Sequence, residues 1–166
     1  MFTTTLLIHS LIYLNQTINQ QSKCSIILIQ VENPNEIDPR IPVETDPVSD
    51  LSAKLLKEFF KLHPMEKVRH LISHFRVFPT VSLNPVTGST DISFQPGADG
   101  VVCLEDVFSL MEDVHTDSDR LIVVLDEFQE IREMGANLDK QLRSIMQRHK
   151  HINYILLGNQ ESMSIV

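Results

Sequence analysis

The sequence predicts an α/β fold, a parallel sheet flanked by helices with a small β-hairpin inserted, and three observations carry that expectation. The apolar runs Ile26–Ile29, Leu121–Leu125 and Tyr154–Leu157 do not alternate with polar residues, as expected for strands covered on both faces. Between and before them lie segments with apolar residues at spacings of three and four, the period of a helix with one buried face. One stretch, residues 76–100, instead holds two short β-type runs around Asn84–Thr90, which is rich in turn formers.

Taken in order, Leu7, Leu11, Leu14 and Ile18 define a first helix face within residues 1–24. Ser25–Val31 follows as a buried strand. Pro34, Pro39, Pro42 and Pro47 then fix φ and remove donors, which predicts a long extended loop. Asp50 is placed to cap a helix that carries Leu51, Leu55, Leu56, Phe59 and Leu62 and stops at Pro64. Met65, Val68, Leu71, Ile72 and Phe75 continue the helical period. The hairpin runs are Pro79–Leu83 and Asp91–Phe94, and Leu104, Val107, Phe108 and Met111 mark the helix after them. Beyond the strand 121–125, Leu138, Leu142, Ile145 and Met146 form one face, with Lys140, Arg143, Gln147 and Arg148 facing outward. His149–Asn153 connects that helix to the last strand.

A chain of 166 residues fits one domain with a real core, and 42% apolar with 22% charged residues is ordinary globular composition. The formal charge of −8 argues against a nucleic-acid footprint, leaving the basic side of the 138–148 helix as the one local exception. Cys24 and Cys103 are far apart without neighbouring ligands, so reduced thiols and a cytoplasmic location are expected. No run of about eighteen apolar residues exists, so no membrane span is expected. His63, His70 and His74 lie close together, but no carboxylate or cysteine joins them at ligand spacing, and solvated histidines are the simpler reading.

The chemistry-bearing stretch is Leu121–Ile131, where an apolar strand ends abruptly in Asp126 and Glu127. Ligands of open α/β sheets bind outside the carboxyl ends of the strands. An aspartate there can hold hydrated Mg²⁺ beside phosphates, and an adjacent glutamate can orient or deprotonate a water. The wording Leu-Asp-Glu-Phe-Gln-Glu-Ile resembles the Walker B motif of prokaryotic, archaeal-type AAA-type P-loop ATPases. The resemblance implies a three-layer P-loop NTPase-like fold, ATP and Mg²⁺ as cofactors, Asp126 as the metal-holding residue and Glu127 as the catalytic one. It also implies that Asn159, at the end of the strand 154–157 within residues 154–160, is the sensor 1 residue that reaches the γ-phosphate or the attacking water. Thr3–Thr5 is similar to the end of a phosphate-binding loop, with Thr4 where a hydroxyl would meet Mg²⁺. A plain helix cap serves Thr3–Thr5 equally well.

The departures are as specific. No Gly-x-x-x-x-Gly-Lys-Thr occurs, and the five glycines are fewer than half the usual fraction of about 7%. The resemblance therefore implies a single partial domain over residues 1–166, truncated at both ends, with the sheet order reduced to its last three strands. The strand 154–157 would then stand at an edge open to self-association or to another protein. Two functions follow: an ATP-binding, ATP-hydrolysing core deprived of its phosphate loop, or a non-catalytic interaction module.

Overall fold

A computed structural model describes residues 23–36, 46–63, 65–83 and 90–158. In chain order its elements are β1 (Lys23–Gln30), α1 (Pro47–Leu62), α2 (Met65–Ile72), β2 (Thr80–Leu83), β3 (Thr90–Ser93), α3 (Gly100–Val114), β4 (Asp119–Asp126), α4 (Ile131–Met134), α5 (Leu138–Met146) and β5 (Ile152–Leu156). β1, β4 and β5 form a parallel sheet in the order β1-β4-β5, so the strand that ends in Asp126 is central. β2 and β3 pair antiparallel as a separate hairpin, Thr80 opposite Ser93. This is the α/β class that the apolar runs predict, with the three strands in the expected order.

The register sets which side chains share a face. Across the sheet Ile27 pairs with Val123 and Val123 with Tyr154, and Ile29 pairs with Leu125 and Leu125 with Leu156. Both crossovers, β1 to β4 and β4 to β5, step in the same direction across the sheet. Right-handed connections then place both sets of helices on one face. The buried core agrees: Ile27, Ile29, Leu121, Val123, Leu125 and Ile152 join Leu55, Phe59, Leu104, Phe108, Leu142 and Ile145. The alternate residues Ile26, Leu28, Ile122, Val124, Ile155 and Leu157 belong to the other face and are not part of that core among the described residues. Leu28 is 44% exposed. The second helical layer of a three-layer arrangement is not supplied by the described residues, and the expected helix over Leu7–Ile18 lies outside them.

Two corrections concern α1. Its N-cap is Asp46, not Asp50: the Asp46 carboxylate accepts from the Ser49 amide at 3.0 Å, and Pro47 opens the helix. Proline at the first helical position loses no needed donor, so the loop's last proline marks the true start. Leu62, the last residue of the helix, is 40% exposed rather than buried. α2 buries Val68 and ends at Ile72, with Phe75 buried just beyond it.

α1 and α3 pack with their N-termini together. Asp99 caps α3 by accepting from the amides of Val101 and Val102 at 3.0 and 3.2 Å. Gly100 then sits where a Cβ would lie 1.9 Å from Asp46 Oδ2, 2.6 Å from Val48 Cβ and 2.9 Å from the Ser49 amide nitrogen. On the other side of α3, the carboxylate of Asp106, 7% exposed, accepts from the Arg76 amide at 2.7 Å, Arg76 Nε at 2.9 Å and the Val77 amide at 3.3 Å. One buried carboxylate thereby fixes the path from α2 to the hairpin.

Gly100→Ala is expected to destabilise the chain by about 1–3 kcal/mol, because backbone as well as side chain must move. Gly135→Ala, where the nearest atom to a new Cβ is Leu138 Cβ at 3.9 Å, is expected to stay within about 0.5 kcal/mol of wild type. Urea denaturation of the two variants checks the contrast. Asp106→Ala is expected to cost about 2 kcal/mol, since it strands two backbone donors; the same titration reads it.

Candidate functional site

The carboxyl end of β4 is where the sheet stops pairing and the chain turns back. The Asp126 carbonyl still accepts from the Val31 amide at 2.9 Å, so the strand is held to its last residue. Glu127 then adopts φ 55 and ψ 41, the left-handed region. A residue with a Cβ enters that region at a cost of order 1–3 kcal/mol, so the surroundings must impose it. They do so with three bonds. The Phe128 amide donates to the Leu157 carbonyl at 2.8 Å, the Leu157 amide to the Leu125 carbonyl at 2.9 Å, and the Glu130 amide to the Glu127 carbonyl at 3.0 Å. Ile131 is fully buried and anchors the following turn.

The two carboxylates are half-buried and differently engaged. Asp126 Oδ1 accepts from the Glu127 amide at 3.1 Å, which orients the carboxylate along the strand end. Glu127 Oε2 accepts from the Gln129 side-chain amide, whose nitrogen also lies 3.4 Å from Glu130 Oε1. Gly158, at the end of β5, approaches the same Gln129 side chain: a Cβ there would lie 2.5 Å from Gln129 Oε1. Asp126 and Glu127 are thus brought together at the end of the central strand, as the sequence implies. Asn159 and Thr4 lie outside the described residues. Gln129 was not singled out by sequence reasoning; its only signal is an amide two residues after a candidate base.

Among the described residues no group of three or more His, Cys, Asp or Glu side chains could hold a metal ion. A protein-caged ion does not fit this site. The residues present fit instead a Mg²⁺ that keeps its water and phosphate ligands, which needs only one or two carboxylates from the protein.

Other polar groups lie apart from this turn. His63 meets His115 rather than His70 or His74, Nε2 to Nε2 at 3.3 Å, and His115 Nδ1 lies 2.7 Å from the Met111 carbonyl. A cavity of about 330 Å³ opens beside the end of β1, lined in part by Glu32, Asp50, Lys54, Lys57 and Asp91. Its lysines are already paired, Lys54 with Glu32 at 2.8 Å and Lys57 with Asp91 at 3.1 Å. On α5, Lys140 reaches Asn137 and Arg143 stacks 5.9 Å from the Phe128 ring, and just beyond the helix Arg148 lies 3.7 Å from Glu105.

Burial moves titrations at the start of β5. It pushes the His149 imidazole below its ordinary value and the Tyr154 phenol far above. Their side chains meet at 2.6 Å, Nδ1 to hydroxyl, against the Phe108 ring. With the phenol donating, Nδ1 accepts and the ring is neutral. The folded chain therefore binds fewer protons at His149 than the unfolded chain does. Its contribution to stability is complete above about pH 6.5 and lost as pH falls below that value. His149→Asn is expected to show a smaller drop in thermal midpoint between about pH 7 and pH 5 than wild type.

A scan of known family models finds no match to this chain, and searches of curated proteins and of solved structures find none either. No helix among the described residues is long and apolar enough to cross a membrane.

Proposed function

We propose that this chain forms the Walker B and sensor 1 half of an AAA-type ATP-binding and ATP-hydrolysing domain. Asp126 holds a water of the bound Mg²⁺, Glu127 orients and deprotonates the attacking water, and Asn159 contacts the γ-phosphate or that water. Bound Mg²⁺ supplies charge neutralisation on the phosphate oxygens. The observation that carries the reading is the placement of Asp126 and Glu127 at the carboxyl end of the central strand of a parallel sheet, where ligands of such sheets bind. The wording of 121–131 and the strand order support it further. Thr4 stands as a weaker ligand of the metal. Residues 1–166 contain no Gly-rich phosphate loop, so nucleotide affinity depends on one being supplied.

The test compares binding of a labelled ATP analogue with Mg²⁺ by the chain itself and by the chain preceded by a strand and a Gly-Lys-Thr loop. The extended form is expected to bind. In it Glu127→Gln is expected to retain binding and to lose about 10²-fold or more in turnover. Equal turnover in that variant rejects the assignment.

The second reading is an interaction module acting through the β5 edge or the apolar sheet face. Leu28, 44% exposed beside Ile26 and Ile122, favours it. It predicts concentration-dependent self-association in sedimentation, unchanged by nucleotide, and a weaker association for Leu28→Lys.

A further inference from the structure

We propose that Gln129 is a positioning residue that couples the orientation of Glu127 to the chain leaving β5, so that the position of Leu157 and Gly158 sets the state of the carboxylate. The inference rests on the reading of Glu127 as the residue that orients water.

Three observations meet at this side chain. First, the Gln129 amide nitrogen donates to Glu127 Oε2, which leaves Oε1 as the oxygen able to accept from a water. Second, the amide oxygen faces Gly158. Of the glycines with a left-handed backbone among the described residues only Gly97 is found, so Gly158 is not required by its own conformation. What it provides is space: a Cβ would lie 2.5 Å from Gln129 Oε1, 3.6 Å from Cδ and 3.7 Å from the Gln129 amide nitrogen. Third, the segment beside Gly158 is fastened to the turn that carries Glu127, through Phe128 N to the Leu157 carbonyl at 2.8 Å and Leu157 N to the Leu125 carbonyl at 2.9 Å.

A primary amide is planar, so its oxygen and nitrogen swing together. A displacement of residue 158 toward Oε1 rotates the group and withdraws Nε2 from Glu127. Freed of that bond, the carboxylate regains its rotamers, and the fixed geometry needed to orient a water is lost. Glu130 Oε1, 3.4 Å from the same nitrogen, is the acceptor to which the amide can turn.

The coupling is measured on the full chain, isotopically labelled, by following the Glu127 carboxyl carbon and the Gln129 side-chain NH₂ resonances. Gly158→Ala meets only the end of a flexible side chain, so the fold is kept. The expected result is that Gly158→Ala shifts both signals, that Gln129→Ala shifts Glu127 similarly, and that adding Gly158→Ala to Gln129→Ala moves the Glu127 signal no further. A Glu127 signal unmoved by Gly158→Ala, or moved by the same amount without Gln129, overturns the proposal. Gln129→Met, near in size but without a donor or a charge, should reproduce Gln129→Ala and guards against a packing artefact. No nucleotide is needed, so this result is independent of the turnover of Glu127→Gln, which tests the proposed reaction alone.

Discussion

Both neighbours of β4 run parallel to it, and most of the structure follows from that constraint. Parallel strands cannot be joined by a tight turn, so the chain must cross from the carboxyl end of one to the amino end of the next. The crossover from β1 to β4 takes α1, α2, the hairpin and α3; that from β4 to β5 takes α4 and α5. Because both steps go the same way and are right-handed, their helices compete for one face. Within the first crossover α1 and α3 share that face by close approach, meeting at Gly100 with less room than a methyl group needs. The two helix N-termins are capped by Asp46 and Asp99 at this contact, so the cap chemistry and the packing are one feature rather than two.

The same constraint explains where polar chemistry can sit. Along β4 each peptide group is used by a neighbour, and the side chains alternate between core and opposite face. At Asp126 the ladder has its last bond and the next residue must leave the sheet. Glu127 leaves by a left-handed turn, whose strain is offset by bonds to β5 and to the turn itself. Strained, bonded and half-buried, these two carboxylates are held more firmly than loop residues usually are. The sheet fixes the backbone of the pair, and Gln129 fixes the Glu127 carboxylate upon it, which together give the positioning a water requires.

Much of this was legible in the sequence, and the rest failed for physical reasons. The apolar runs located β1, β4 and β5 within two or three residues, because burial between neighbours leaves a strong compositional trace. The faces of α1, α3 and α5 were legible through their period, and Leu51, Leu55, Leu142 and Ile145 are buried as that period requires. The cap of α1 was placed one turn late: Asp50 and Asp46 are both good caps, and only Pro47 at the first position distinguishes them. The left-handed backbone of Glu127 left no trace, since the usual marker is glycine or asparagine and neither occurs there. Gln129 was illegible for another reason. Its role depends on Gly158, which is distant in sequence and adjacent only once β4 and β5 are paired.

One expectation was half met in an instructive way. Continuous apolar runs signal strands covered on both faces, yet the described helices cover one. Ile26, Leu28, Ile122, Val124, Ile155 and Leu157 spell out a second apolar face as clearly as the first. In β4 Val124 is 3% exposed, whereas Leu28 on β1, at the edge of the described sheet, keeps 44%. Of the six only Leu28 is exposed; Val124 is buried and the other four are half-buried, so this second apolar face is largely withdrawn from water. Asp126 continues the face of Ile122 and Val124 along β4, so the burial of that face bears directly on how open the carboxylate is to a ligand.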